Sequence, residues 1–121
     1  MSVRQTIRNL AASTINGTKV KNIDGEDLGH IEDLMIDLDD GRISYAVLSF
    51  GGMMGMGNKL FAVPWHSLAV DTENELFIFN VTKEKLKNAP GFDKDNWPDM
   101  ADPEWATNIY SYYDQKPYWQ Q

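Results

Sequence analysis

The chain has 121 residues, a formal net charge of −7, and 42% hydrophobic and 24% charged residues. That is the size and composition of one soluble globular domain with a core of its own. There is no cysteine, which excludes disulfides, thiolate metal sites, iron–sulfur clusters and cysteine nucleophiles together.

The charge is uneven. Residues 1–23 hold Arg4, Arg8, Lys19 and Lys21 and no acid, whereas residues 24–58 hold eight acids against Arg42 alone. A net acidic chain is a poor non-specific binder of nucleic acid, and the small basic stretch does not reverse that. That stretch could instead meet the acidic 24–40 segment of a neighbouring subunit. No apolar run reaches the roughly 18 residues of a membrane span. The start, MSVRQTIRNLAAS, lacks the apolar stretch of a signal peptide, so a cytoplasmic location is expected.

Residues 1–16 form a lead-in. Val3, Ile7 and Leu10 fall at i, i+4 and i+7, the spacing of a short amphipathic helix that needs a surface to lie on. From Gly17 the pattern is β. GTKVKN reads as a strand and Asp24-Gly25 as a turn. In LGHIEDLMIDLD, Leu34, Ile36 and Leu38 alternate with Met35, Asp37 and Asp39, while Ile31 has the opposite parity from Leu34. One residue must be absorbed if both face the core, which predicts a β-bulge near Glu32–Asp33. Asp39-Asp40-Gly41 is a hairpin turn, because glycine takes the positive φ it requires. RISYAVLSF is apolar on both faces and reads as a central strand.

GGMMGMGNK is too rich in glycine for a strand or helix and reads as a loop. KLFAVPW, SLAV and ELFIFNV are three further strands. Thr82 caps a short helix, KEKLKNA, ended by Pro90 and Gly91. The tail from Phe92 carries Trp97, Trp105 and Trp119 and four of the five tyrosines. Asp102-Pro103-Glu104 starts a helix near 103–113, with Asp102 as N-cap. Trp105, Ile109, Tyr112 and Tyr113 make one stripe on it, and Lys116-Pro117 stops it. These elements give three units: 1–16, a barrel over 17–90, and an aromatic extension over 91–121. The fold class is mainly β, a small antiparallel barrel of about six strands with a short helix after the last strand and a C-terminal helical extension.

The run TKVKNIDGEDLGHIEDLMIDLDDGRISYAVLSFGG, followed by KLFAVPWHSLAVDTENELFIFNVTKEKLKNAP, resembles a PRC-barrel domain. The marks are V-x-N-x-x-G-E-x-L-G-x-I-x-D, the D-x-D-D-G-R-I-x-Y hairpin and F-x-V-P-W, over about residues 17–90. The resemblance implies a compact β-barrel of a kind found in the cytoplasmic part of a photosynthetic reaction-centre subunit and in a ribosome maturation factor. In those proteins the domain is not an enzyme by itself and serves as a docking platform. The chain lacks the membrane helix of the first and the N-terminal domain of the second, so only the platform idea transfers.

The residues offer little chemistry. His30 and Glu32 share a strand face if no bulge intervenes, and with a second carboxylate they could hold a metal. Asp37, Asp39 and Asp40 resemble a calcium loop, but the glycine comes one position early and Leu48 stands where the last glutamate should be. The glycine-rich loop lacks the P-loop pattern. Trp65-His66-Ser67, read as strand, sends His66 and Ser67 to opposite faces. No cofactor, metal ligand or catalytic set is assigned, and the chain is expected not to be an enzyme. The expected function is a protein-interaction or assembly module, acting as a homodimer or larger oligomer and with a further protein partner open. A small-ligand or metal sensor is the alternative. The interaction candidates are Met53, Met54 and Met56 in the loop and Trp97, Trp105, Ile109, Tyr112 and Tyr113 in the tail, since Trp, Tyr and Met are enriched at interfaces. Two placements of the tail are open: on its own barrel or on a neighbour.

Overall fold

The computed structural model describes residues 9–51 and 59–120. The helix expected over Val3, Ile7 and Leu10 lies mostly outside these residues, and the described lead-in holds a single turn, α1 (Ala12–Ile15). Six strands follow: β1 (Lys19–Lys21), β2 (Asp27–Asp37), β3 (Arg42–Phe50), β4 (Lys59–Pro64), β5 (Leu68–Asp71) and β6 (Leu76–Phe79). They form one sheet in the order β4-β3-β2-β1-β6-β5. The sheet is a curled half-barrel rather than a purely antiparallel barrel. Val20 pairs with Phe77 and Lys21 with Ile78 in parallel, while the other neighbours are antiparallel. Parallel neighbours need a long crossover, and strands β2 to β5 with their connections supply it.

The expected bulge is present. Ile31 faces Leu48 and Asp33 faces Val47, so Glu32 is the extra residue. A second irregularity was not anticipated. Met35 pairs with Tyr45 and Ile36 with Ile43, which leaves Ser44 extra on β3. The β2–β3 turn forms at Asp39–Gly41. The Asp37 carboxylate accepts the N–H groups of Asp39 and Asp40, and the Gly41 N–H donates to the Asp37 carbonyl at 2.7 Å with a φ of +70°.

The motif V-x-N-x-x-G-E has a physical reason. Asn22 is buried, and its side chain satisfies itself in one tight turn. Its Oδ1 accepts the N–H groups of Asp24 and Glu26, and its Nδ2 donates to Glu26 Oε1 and the Val81 carbonyl. The turn is thereby tied to the chain leaving β6. Gly29, four residues after Gly25, has a φ of +90°, and a Cβ there would lie 2.0 Å from the Ser49 carbonyl oxygen.

Thr82 caps α2 (Lys83–Lys87) by accepting the Lys85 N–H at 3.0 Å. Asp102 caps α3 (Pro103–Tyr112) by accepting the Glu104 N–H. Helix α3 ends before Lys116-Pro117. Asp114 takes a left-handed φ of 57°, and the Gln115 and Asp114 N–H groups return to the carbonyls of Tyr110 and Ser111. This is a Schellman ending with aspartate in the usual glycine place.

The core lies inside the curl and continues under the extension. Val20, Leu28, Ile31, Leu48, Phe61 and Phe79 fill the sheet side. Ala106, Ile109, Tyr110 and Tyr113 of α3 and its ending close it. Phe92 exchanges both backbone hydrogen bonds with Leu60, so the start of the extension covers the outer edge of β4. Of the two placements open for the aromatic tail, it lies on its own sheet. No helix among the described residues is long and apolar enough to cross a membrane.

Candidate functional site

The bulge at Ser44 organises the candidate site. An extra strand residue loses its ladder partners and must find others. The Ser44 hydroxyl donates to the Met35 carbonyl at 3.0 Å, and the Ser44 carbonyl accepts the buried Tyr110 hydroxyl at 2.8 Å. Tyr110 and Trp105 each meet the Tyr45 ring edge-on at 5.4 Å. The chain end returns to the same place. The Tyr118 hydroxyl donates to the Asp37 carboxylate. Arg42 lies 5.1 Å over the Tyr118 ring, donates to the Tyr118 carbonyl and pairs with Asp40 at 2.7 Å.

Between the end of the β2–β3 hairpin and this arm runs a half-open groove of about 540 Å³, a size typical of binding pockets. Met35, Ile36, Met100, Pro103 and Trp119 give it apolar walls, and Asp37 and Asp39 lie at the hairpin end. Tyr45 also lines it. Tyr45 is 2% exposed, and its hydroxyl has no hydrogen-bond partner among the described residues. A buried unpaired hydroxyl is costly unless something else satisfies it. The rim is unusually apolar for a surface. Ile36 is 54% exposed, Leu38 at the adjoining turn 91%, and Trp119 43%.

The electrostatics of the rim follow from the same contacts. The Tyr118 hydrogen bond, helped by the Asp39 and Asp40 N–H groups and Arg42, holds the Asp37 carboxyl below the usual carboxylate range against some desolvation. Desolvation, then the bond to Asp37 and its charge, push the Tyr118 hydroxyl up to about 12. Burial pushes the Tyr45 and Tyr110 hydroxyls up as well. At neutral pH the groove therefore carries the ionised Asp37 carboxylate beside neutral phenols.

The interaction candidates read from sequence part company. Met53, Met54 and Met56 lie outside the described residues. Ile109 and Tyr113 are buried under their own sheet, with Tyr113 against Phe79 at 5.3 Å, so neither side chain presents a surface. Trp105 is half-buried against Tyr45. Tyr112 is half-buried too, donating to the Lys85 carbonyl at 2.6 Å. Trp97 packs on Phe92 at 5.1 Å and keeps 39% of its surface exposed. Sequence reasoning missed Tyr110, Tyr118, Trp119 and Tyr45, and the exposed Ile36 and Leu38. The alternation of β2 did not reveal them: Leu38 keeps the parity of Leu34 and Ile36 but lies in the turn, one residue past the end of the strand.

His30 and Glu32 approach to 3.4 Å, and among the described residues no group of three His, Asp or Glu side chains is placed to hold a metal. Trp65-His66-Ser67 is a single 3-10 turn after β4, not strand, so the alternation assumed for His66 and Ser67 does not apply. His66 is exposed, and the buried Ser67 hydroxyl is unpaired among the described residues.

A comparison with curated proteins finds no match. The family model of the PRC-barrel domain matches residues 8–86, well over half the chain, and takes in α1, all six strands and most of α2. With the half-barrel sheet, the Asn22 turn and the Asp39–Gly41 hairpin in place, the chain belongs to the PRC-barrel family.

Proposed function

We propose that this protein is a non-enzymatic, cytoplasmic interaction module that assembles with a second copy of itself through the groove and its rim. The observation that carries this reading is that two exposed apolar side chains, Ile36 and Trp119, line one groove, with the exposed Leu38 in the adjoining turn. Single exposed apolar residues are ordinary, whereas a contiguous group next to a concave surface marks an interaction site. Trp, Ile and Leu there would be the buried centre of an interface, and the acids its polar rim. Nucleic acid is not a partner in this reading, since the rim is acidic. The extension serves the module by building the groove wall, not by reaching to a neighbour.

Native mass spectrometry of the full chain tests this. The expected result is a dimer or larger multiple of the chain mass that Leu38→Asp with Trp119→Ala converts to monomer. A wild-type chain that stays monomeric at concentrations of about 100 µM, well above the micromolar range of specific complexes, would remove the self-assembly reading.

A further inference from the structure

The groove makes two demands on an occupant. Its Met35, Met100 and Trp119 walls ask for apolar side chains. Its Asp37 and Asp39 carboxylates ask for a cation.

One stretch of this chain has matching chemistry. Residues 1–10 carry Val3, Ile7 and Leu10 at one helical spacing, Arg4 and Arg8 beside them, and no acid. Leu10, the last of these apolar residues, is 51% exposed and so is not spent in its own core. Residues 24–58 hold eight acids against one arginine, so the basic stretch and the hairpin that borders the groove attract each other.

Resting on the self-assembly reading above, we propose that residues 1–10 of a second copy dock in the groove, with their apolar side chains on the Met35–Met100–Trp119 wall and Arg4 or Arg8 against Asp39 and Asp37. The exchange is reciprocal, each copy filling the other's groove, which gives a closed two-fold dimer. Because the ion pairs sit at an exposed rim, added salt weakens the dimer.

Sedimentation equilibrium on the full chain tests the assignment by charge reversal. Arg4→Glu with Arg8→Glu is expected to raise the dimer dissociation constant about tenfold, and Asp39→Arg alone to raise it similarly. Combining the three is expected to recover only part of that loss, because the pair at position 39 is again opposite in sign while the unchanged Asp37 now faces like charge. Reversed arginines that leave dimerisation unchanged, or a triple variant no better than the singles, would overturn the docking. If Leu38→Asp with Trp119→Ala still dissociates the dimer in that case, the groove remains the interface and only its occupant is wrong. A monomeric wild type overturns both.

Discussion

The hydroxyl of Tyr110 donates to the carbonyl of Ser44 across 66 residues of chain, at 2.8 Å in a buried setting. The bulge frees that carbonyl from the β-ladder, and the extension's helix supplies the donor. Tyr110→Phe keeps the ring and its contacts but leaves the carbonyl unsatisfied. The expected cost is about 1–2 kcal/mol, read as a lower urea midpoint with an unchanged slope. An unchanged midpoint would mean the bond contributes nothing net.

Deleting residues 92–121 has a larger expected effect. It removes Ile109, Tyr110, Tyr113 and Tyr118, all buried, each worth roughly 1.5–3 kcal/mol of burial. Their sum is comparable to the whole stability of a domain, about 5–15 kcal/mol. The truncated chain should lose its near-ultraviolet circular dichroism and its cooperative melt. Retention of a sharp wild-type transition would show that the sheet stands alone.

Gly29 tolerates no side chain. Alanine would meet the Ser49 carbonyl oxygen at 2.0 Å and hold a φ of +90° that it resists. Gly29→Ala is expected to cost about 2–4 kcal/mol. Gly17→Ala is the control: its φ is similar at +89°, but nothing lies within 4 Å of the added carbon. The difference between the two melting temperatures isolates the clash from the backbone strain. Equal losses would put the whole effect in φ.

The Asp37–Tyr118 pair sets a pH window. The folded-state value of Asp37 is depressed, so its contribution is present above the unfolded value near 4 and fades as pH falls through the folded one. Tyr118 is raised to about 12, so its contribution is present below about 10 and fades as pH rises toward 12. Asp37→Asn should flatten the acid limb of stability against pH, and Tyr118→Phe the alkaline limb. Limbs of wild-type slope in both variants would show that other groups govern them.

Local signals made most of the fold legible. The parity break between Ile31 and Leu34 located the Glu32 bulge, and Asp102-Pro103 located the start of α3. What stayed hidden depends on partners distant in sequence. The parallel pairing of Val20 with Phe77 leaves no mark on either short strand. On α3, the stripe from Trp105 to Tyr113 is rotated from the buried one, Ala106, Ile109, Tyr110 and Tyr113. A large tryptophan outweighed a small alanine, although the alanine allows the closer approach. The groove was illegible for a further reason: its walls come from residues 35–45 and 100–119, and a bulge at Ser44 has no local signature.

The parallel β1–β6 pair also orders events in time. The β2–β3 hairpin can form from residues 27–50 alone, whereas β1 must wait unpaired on one side until residue 77 finds it. Closing so long a loop carries an entropic cost before any contact returns it. The transition state for folding should therefore hold the hairpin and lack the β1–β6 seam. Substitutions at Val47 should slow folding, and substitutions at Val20 should mainly speed unfolding. Until the seam closes, the free edge of β6 is open to strands of other chains, so the slow step of folding is also the step at which concentration matters.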